Sequence, residues 1–184
     1  MRSSLRITGA IVGLMAGIVM VTWTMIDAAV TGAGLLAPPQ MIAEPLFGQF
    51  HPSTFNSGAF IVGLTIHLMV SIVFGIIFAA IWQEFAQGGL TALISGMIYG
   101  LLIWLVMSNV VAPMIGSDIA QVMPSWAWTV AHLMFGGVLG LWPMLRPADF
   151  LAPPKDNILG DGVEVRAGAS RDPVVIPTPL VREE

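Results

Sequence analysis

Residues 58–82, 89–113 and 124–145 contain no Asp, Glu, Lys or Arg, and residues 7–26 form a fourth uncharged run. Each run is 20 residues or longer, and a helix of about 20 apolar residues crosses the ~30 Å hydrocarbon core of a bilayer. Four such runs in a short chain leave little freedom. The sequence predicts an all-α membrane protein with four transmembrane helices, spanning about 7–26, 58–82, 89–113 and 124–145.

Composition agrees. The 184 residues are 56% hydrophobic and 10% charged, whereas a soluble domain is about 25% charged. So few charges cannot cover a water-facing surface, and lipid must cover it instead. The absence of cysteine excludes disulfides, thiolate metal sites and cysteine nucleophiles. No basic patch points to nucleic acid. The start, Arg2 to Arg6 before an apolar run, has the look of a secretory leader. The 20-residue run exceeds the ~7–15 residues of a leader's apolar region, so it is expected to be a retained first helix.

Lys and Arg set the orientation. Arg2 and Arg6 precede the first run, and Arg146, Lys155, Arg166, Arg171 and Arg182 follow the last. None lies between. Both termini are therefore expected in the cytoplasm of a bacterial inner membrane, with loops 27–57 and 114–123 outside and 83–88 as a tight inner turn. Trp126 and Trp128 fall at an outer helix end, and Trp82 and Trp142 near inner ends, as interfacial belt residues do. Trp23 and Trp104 read as packing residues. Asp27 and Asn109 read as caps or stops of the first and third helices.

Within the first outer loop, Pro38 and Pro39 suit a first helical turn. They predict a short helix running toward Gly48 that lies on the outer surface or caps the bundle. The tail 146–184 holds Pro147, Pro153, Pro154, Pro173, Pro177 and Pro179 among mixed charges. It reads as an extended cytoplasmic segment, with 174–181 suited to lie along a partner as a strand or polyproline stretch.

The helices read as two duplicated hairpins. Gly13 and Gly17 match Gly96 and Gly100 at an offset of 83, and His67, Leu68, Met69 and Gly75 match His132, Leu133, Met134 and Gly140 at an offset of 65. Small residues recur every fourth position: Gly9, Gly13 and Gly17; Ser71, Gly75 and Ala79; Ala92, Gly96 and Gly100; Gly136 and Gly140. Such stripes let helix backbones approach closely where no hydrophobic effect operates. They predict packing within the bundle or against partner helices, not chemistry.

His67 and His132 are the candidates for chemistry. Each precedes its stripe by four residues, and the two are expected at nearly equal depth in the outer half of the membrane. They read as structural histidines bonded across helix contacts. The alternative is a b-type haem held between them, with glycine making room for the macrocycle. Quinone or proton handling is a further use of the same pair. His51 reads as an ordinary exposed residue. The sequence shows no nucleophile–base pair, metal-ligand cluster or phosphate loop, and Gly-x-x-x-Gly follows no strand.

The Gly13/Gly17 stripe, residues 39–43, His67-Leu-Met, Tyr99 to Trp104 and His132-Leu-Met-Phe-Gly136 together resemble a loose group of uncharacterised four-helix bacterial inner-membrane proteins. The resemblance covers roughly residues 7–145. Small subunits of this kind accompany the large subunits of respiratory and photosynthetic complexes, such as the alternative complex III. The group brings no established activity with it; the small-residue stripes, the polar tail and the absence of a catalytic set lead to the expectation of a non-catalytic accessory subunit of a larger membrane complex in electron transfer, without a cofactor of its own, meeting other subunits through its helix faces and tail.

Overall fold

The computed structural model describes residues 2–49, 51, 54–82, 89–116 and 123–145, with side chains from Arg6 onward and excluding that of Leu145. The expected inner turn 83–88, most of the loop 114–123 and the tail 146–184 lie outside the described residues.

The described residues are all-helical. In chain order they form α1 (Arg2–Thr31), α2 (Ala37–Ile42), α3 (Glu44–Phe47), α4 (Ser57–Trp82) and α5 (Gly89–Val106). A π-helical turn (Met107–Val111), α6 (Ala112–Ile115), α7 (Ser125–Leu139) and a 3-10 turn (Trp142–Leu145) complete them. Three runs are long and apolar enough to cross a membrane: Arg6–Thr31, Ser57–Trp82 and Gly89–Ile115.

Several boundaries differ from expectation, each for a local reason. Asp27 does not stop α1. The helix runs on to Thr31, whose hydroxyl donates to the Asp27 carbonyl oxygen at 2.8 Å. Asp27 itself is buried, and its Oδ2 has no hydrogen-bond partner. The third run stays helical to Ile115 but widens at Met107–Val111, where the Ala112 N–H reaches back five residues to the Met107 carbonyl. Pro113 explains this. It has no N–H and its ring crowds the carbonyl one turn back, and a wider turn relieves that crowding. Asn109 lies inside this turn rather than at a helix end, exposed, with its amide on the Leu105 carbonyl at 2.9 Å. The fourth run holds only the 15 residues of α7 before Gly140 and Pro143 turn it into the 3-10 segment.

The glycine stripes decide how the helices pack. A methyl group on Gly13 would sit 2.5 Å from the Ser71 carbonyl oxygen and 2.9 Å from Gly75 Cα, so only glycine admits this contact of α1 with α4. The corresponding residues bring α5 onto α7: a Cβ on Gly96 or Gly100 would collide with the backbone of Gly136 or His132. The stripes are thus taken up inside the chain. Beyond its seam with α4, α1 also packs on α7. Val12 and Ala16 of α1 join Ala131, Phe135 and Leu139 of α7 in the main core. By contrast, α4 and α5 meet at few points. The order around the bundle is therefore α4, α1, α7, α5, with a gap between the last and the first.

At one end the gap is closed by aromatic rings. Phe78 stacks on Trp82 at 5.1 Å between centroids, and Tyr99 packs edge-on against Phe74 and donates its hydroxyl to the Phe74 carbonyl at 3.2 Å. At the other end α2 lies over the bundle as a cap. Its Pro39 carbonyl is pressed against Gly63 of α4, and its Met41 packs with Met123 and Ala127. The Gln40 side chain accepts from the Asn56 N–H at 2.8 Å, and Asn56 caps α4 by accepting the Ala59 N–H at 3.0 Å, as an N-cap residue does.

Trp126, at the start of α7, is 59% exposed. Trp142 is fully buried in the core with Leu139, where the 3-10 turn after Gly140 packs on α1 and α5. Trp82 and Trp128 are half-buried.

Candidate functional site

The gap between α4 and α5 contains a part-enclosed cavity of about 180 Å³. Its walls are mostly apolar, including Ile66, Val70 and Phe74 of α4 and Ile103 of α5. The π-helical turn and α6 contribute Met107, Val111 and Ala112, and Ile42 of α2 closes the capped end. His67 and His132, assigned from sequence to equivalent places on two helices, both belong to this wall. So does Ser71, while the neighbouring glycines of the stripes form the helix crossings behind it.

Four lining side chains carry a hydrogen-bond donor, and each donor is spent on the protein. His67 Nε2 lies 3.0 Å from the Gly17 carbonyl oxygen. A carbonyl only accepts, so Nε2 carries the proton and Nδ1 holds the lone pair of the neutral ring. His132 Nδ1 lies 2.9 Å from the Trp128 carbonyl, which leaves its Nε2 with the lone pair. The Ser71 hydroxyl donates to the His67 carbonyl at 2.8 Å, and the Trp128 indole N–H donates to Ser108 Oγ at 2.7 Å. The Trp128 ring also stands edge-on to His132 at 4.9 Å.

The two histidines use opposite nitrogens. His67 reaches across the crossing to α1, whereas His132 turns back onto its own helix, one turn earlier. The pairing of glycines is alike in the two hairpins, and the correspondence stops at the imidazoles.

Sequence reasoning located both histidines and Ser71 but missed Trp128 and the π-helical turn as cavity walls. The signals were present: Trp128 is four residues before His132, and Pro113 is five after Ser108. His51 is exposed, as expected, and is not part of the site. Among the described residues, no group of three His, Asp or Glu side chains is placed to hold a metal.

The described residues define a class: a helical bundle with three helices long and apolar enough to cross a membrane and an apolar, histidine-flanked pocket among them. No protein-family model, curated protein or solved structure matches the chain.

Proposed function

We propose that this chain is a non-catalytic accessory protein of a bacterial inner membrane, serving a larger electron-transfer complex by holding a lipid-soluble ligand in the α4–α5 gap. It is a four-span protein of two duplicated hairpins with both termini in the cytoplasm. Support for the duplication comes from the like pairing of Gly13 with Gly75 and of Gly96 with Gly140. Support for the orientation comes from the seven Lys and Arg, none of which lies between Arg6 and Arg146.

The cavity carries the functional reading. It is apolar, it lies where two helices fail to meet, and its side-chain donors are already hydrogen-bonded. Such a site holds a molecule; its two imidazole lone pairs stand without a nucleophile for them to activate, since the Ser71 hydroxyl is bonded to the His67 carbonyl. The stripes add nothing about partner helices, because the bundle consumes them.

Haem fits this cavity poorly. An apolar cavity of about 150 Å³ accepts a single benzene ring, and the volume here, about 180 Å³, is of that order rather than that of a four-pyrrole macrocycle. Native mass spectrometry of the protein extracted with its surrounding lipid should show one retained small molecule. The same preparation should run on a native gel with larger subunits. A monodisperse, ligand-free species without partners would sink the proposal, and a Soret band in pure protein would reinstate haem.

A further inference from the structure

Every side-chain donor on the cavity wall, namely those of His67, His132, Ser71 and Trp128, is directed to a protein acceptor. What remains for an occupant is a set of acceptors: Nδ1 of His67, Nε2 of His132 and the Ser71 oxygen, with the weakly accepting thioethers of Met20 and Met107. A ligand that brings only acceptors leaves those lone pairs unmatched in an apolar surrounding, and such mismatches are what specificity is made from. The occupant must therefore bring hydrogen-bond donors. A charged donor would meet desolvation in these walls, so hydroxyl groups are favoured over ammonium. The volume is that of one six-membered ring. The gap between α4 and α5 leaves room for an apolar tail to pass out between the two helices.

We infer that the cavity binds the ring of a lipid-soluble aromatic diol, the quinol class, in preference to its oxidised quinone. The ring hydroxyls donate to the imidazole nitrogens that the backbone leaves free. A quinone presents two carbonyl acceptors to the same acceptors and loses both bonds. The inference rests on the ligand-holding role proposed above and adds the chemical class and oxidation state of the ligand.

Three probes with one tail separate the possibilities: decylbenzoquinol, decylbenzoquinone and decylbenzene, titrated calorimetrically into the full chain in detergent. Ascorbate, added in the quinol titration alone, keeps that probe reduced. Quinol should bind about tenfold tighter than quinone, as two retained hydrogen bonds imply. Two variants remove the free acceptors altogether, His67→Leu and His132→Leu. Each also gives up the ring's bond to the Gly17 or Trp128 carbonyl, and decylbenzene, which needs no acceptor, controls for that loss. Each should lower quinol affinity toward that of decylbenzene and leave decylbenzene unchanged. Val70→Phe fills the cavity and should weaken all three probes. Equal binding of quinol and quinone, or tighter binding of quinone, overturns the quinol assignment while the cavity stands. No binding by any probe, or no effect of Val70→Phe, overturns the holding role itself.

Discussion

Trp128 ties together three parts of the site. Its carbonyl accepts the His132 proton, its ring packs edge-on to that imidazole, and its indole N–H donates to Ser108 in the π-helical turn. The bond to Ser108 joins α7 to the irregular wall of the cavity. Removing its acceptor leaves an indole N–H in an apolar setting, which costs more than removing both partners. Ser108→Ala should therefore destabilise the protein by about 1 kcal/mol, within the range of polar contacts inside membrane bundles. Trp128→Phe added to Ser108→Ala should cost less than the sum of the two single changes. Thermal unfolding of the three variants in detergent measures this coupling, and strict additivity would show that the bond contributes nothing. Trp23 plays a related part on the far side of the bundle, donating to the Ala127 carbonyl at 3.1 Å and meeting Trp126 edge-on. Its assignment as a packing residue was right. The belt assignment of Trp142 was wrong, because composition places a tryptophan near a helix end without showing that the turn there packs into the core.

At the scale of helices, adjacent glycines in α7 make a controlled comparison. A Cβ on Gly136 would collide with the Gly96 carbonyl, whereas a Cβ on Gly137 meets nothing within 4 Å. Alanine is the better helix former by up to about 1 kcal/mol. Gly137→Ala should thus leave the melting temperature unchanged or raise it. Gly136→Ala must push α5 off α7, and overpacking of this kind costs about 1–3 kcal/mol. If both changes behave alike in thermal unfolding, the seam between α5 and α7 is not as tight as described. This seam was legible in the sequence because a four-residue small-residue stripe has one physical use in an apolar helix. The histidines were legible for the same reason, standing one turn before Ser71 and Gly136. The cavity was not. It arises because α4 and α5 fail to meet, and that depends on the order of helices around the bundle, which no local spacing encodes. The π-helical turn was half legible: Pro113 signals a disturbance one turn earlier, but not that the helix would widen rather than end.

For the whole molecule, the question is whether α7 completes a fourth crossing. Its 15 residues rise about 22 Å, short of the ~30 Å core. The four residues of the 3-10 turn add about 8 Å if the path continues in the same direction. Burial of Trp142 in the main core shows the turn packed on the bundle rather than released from it. Charge argues for the crossing as well: Arg146, Lys155, Arg166, Arg171 and Arg182 would otherwise lie on the same side as the loop after α1, against the bias of positive residues toward the cytoplasm. A cysteine-free chain permits a direct test with single cysteines and a membrane-impermeant maleimide in spheroplasts. Gln49→Cys, at an exposed position after α3, should label in intact spheroplasts. Ser170→Cys should label only after the membrane is opened. Labelling of Ser170→Cys in intact spheroplasts would put the tail outside and leave α7 entering and leaving on one face. The proposed pseudo-symmetry of the two hairpins would then fail, because hairpins that both start inside require the last helix to end there.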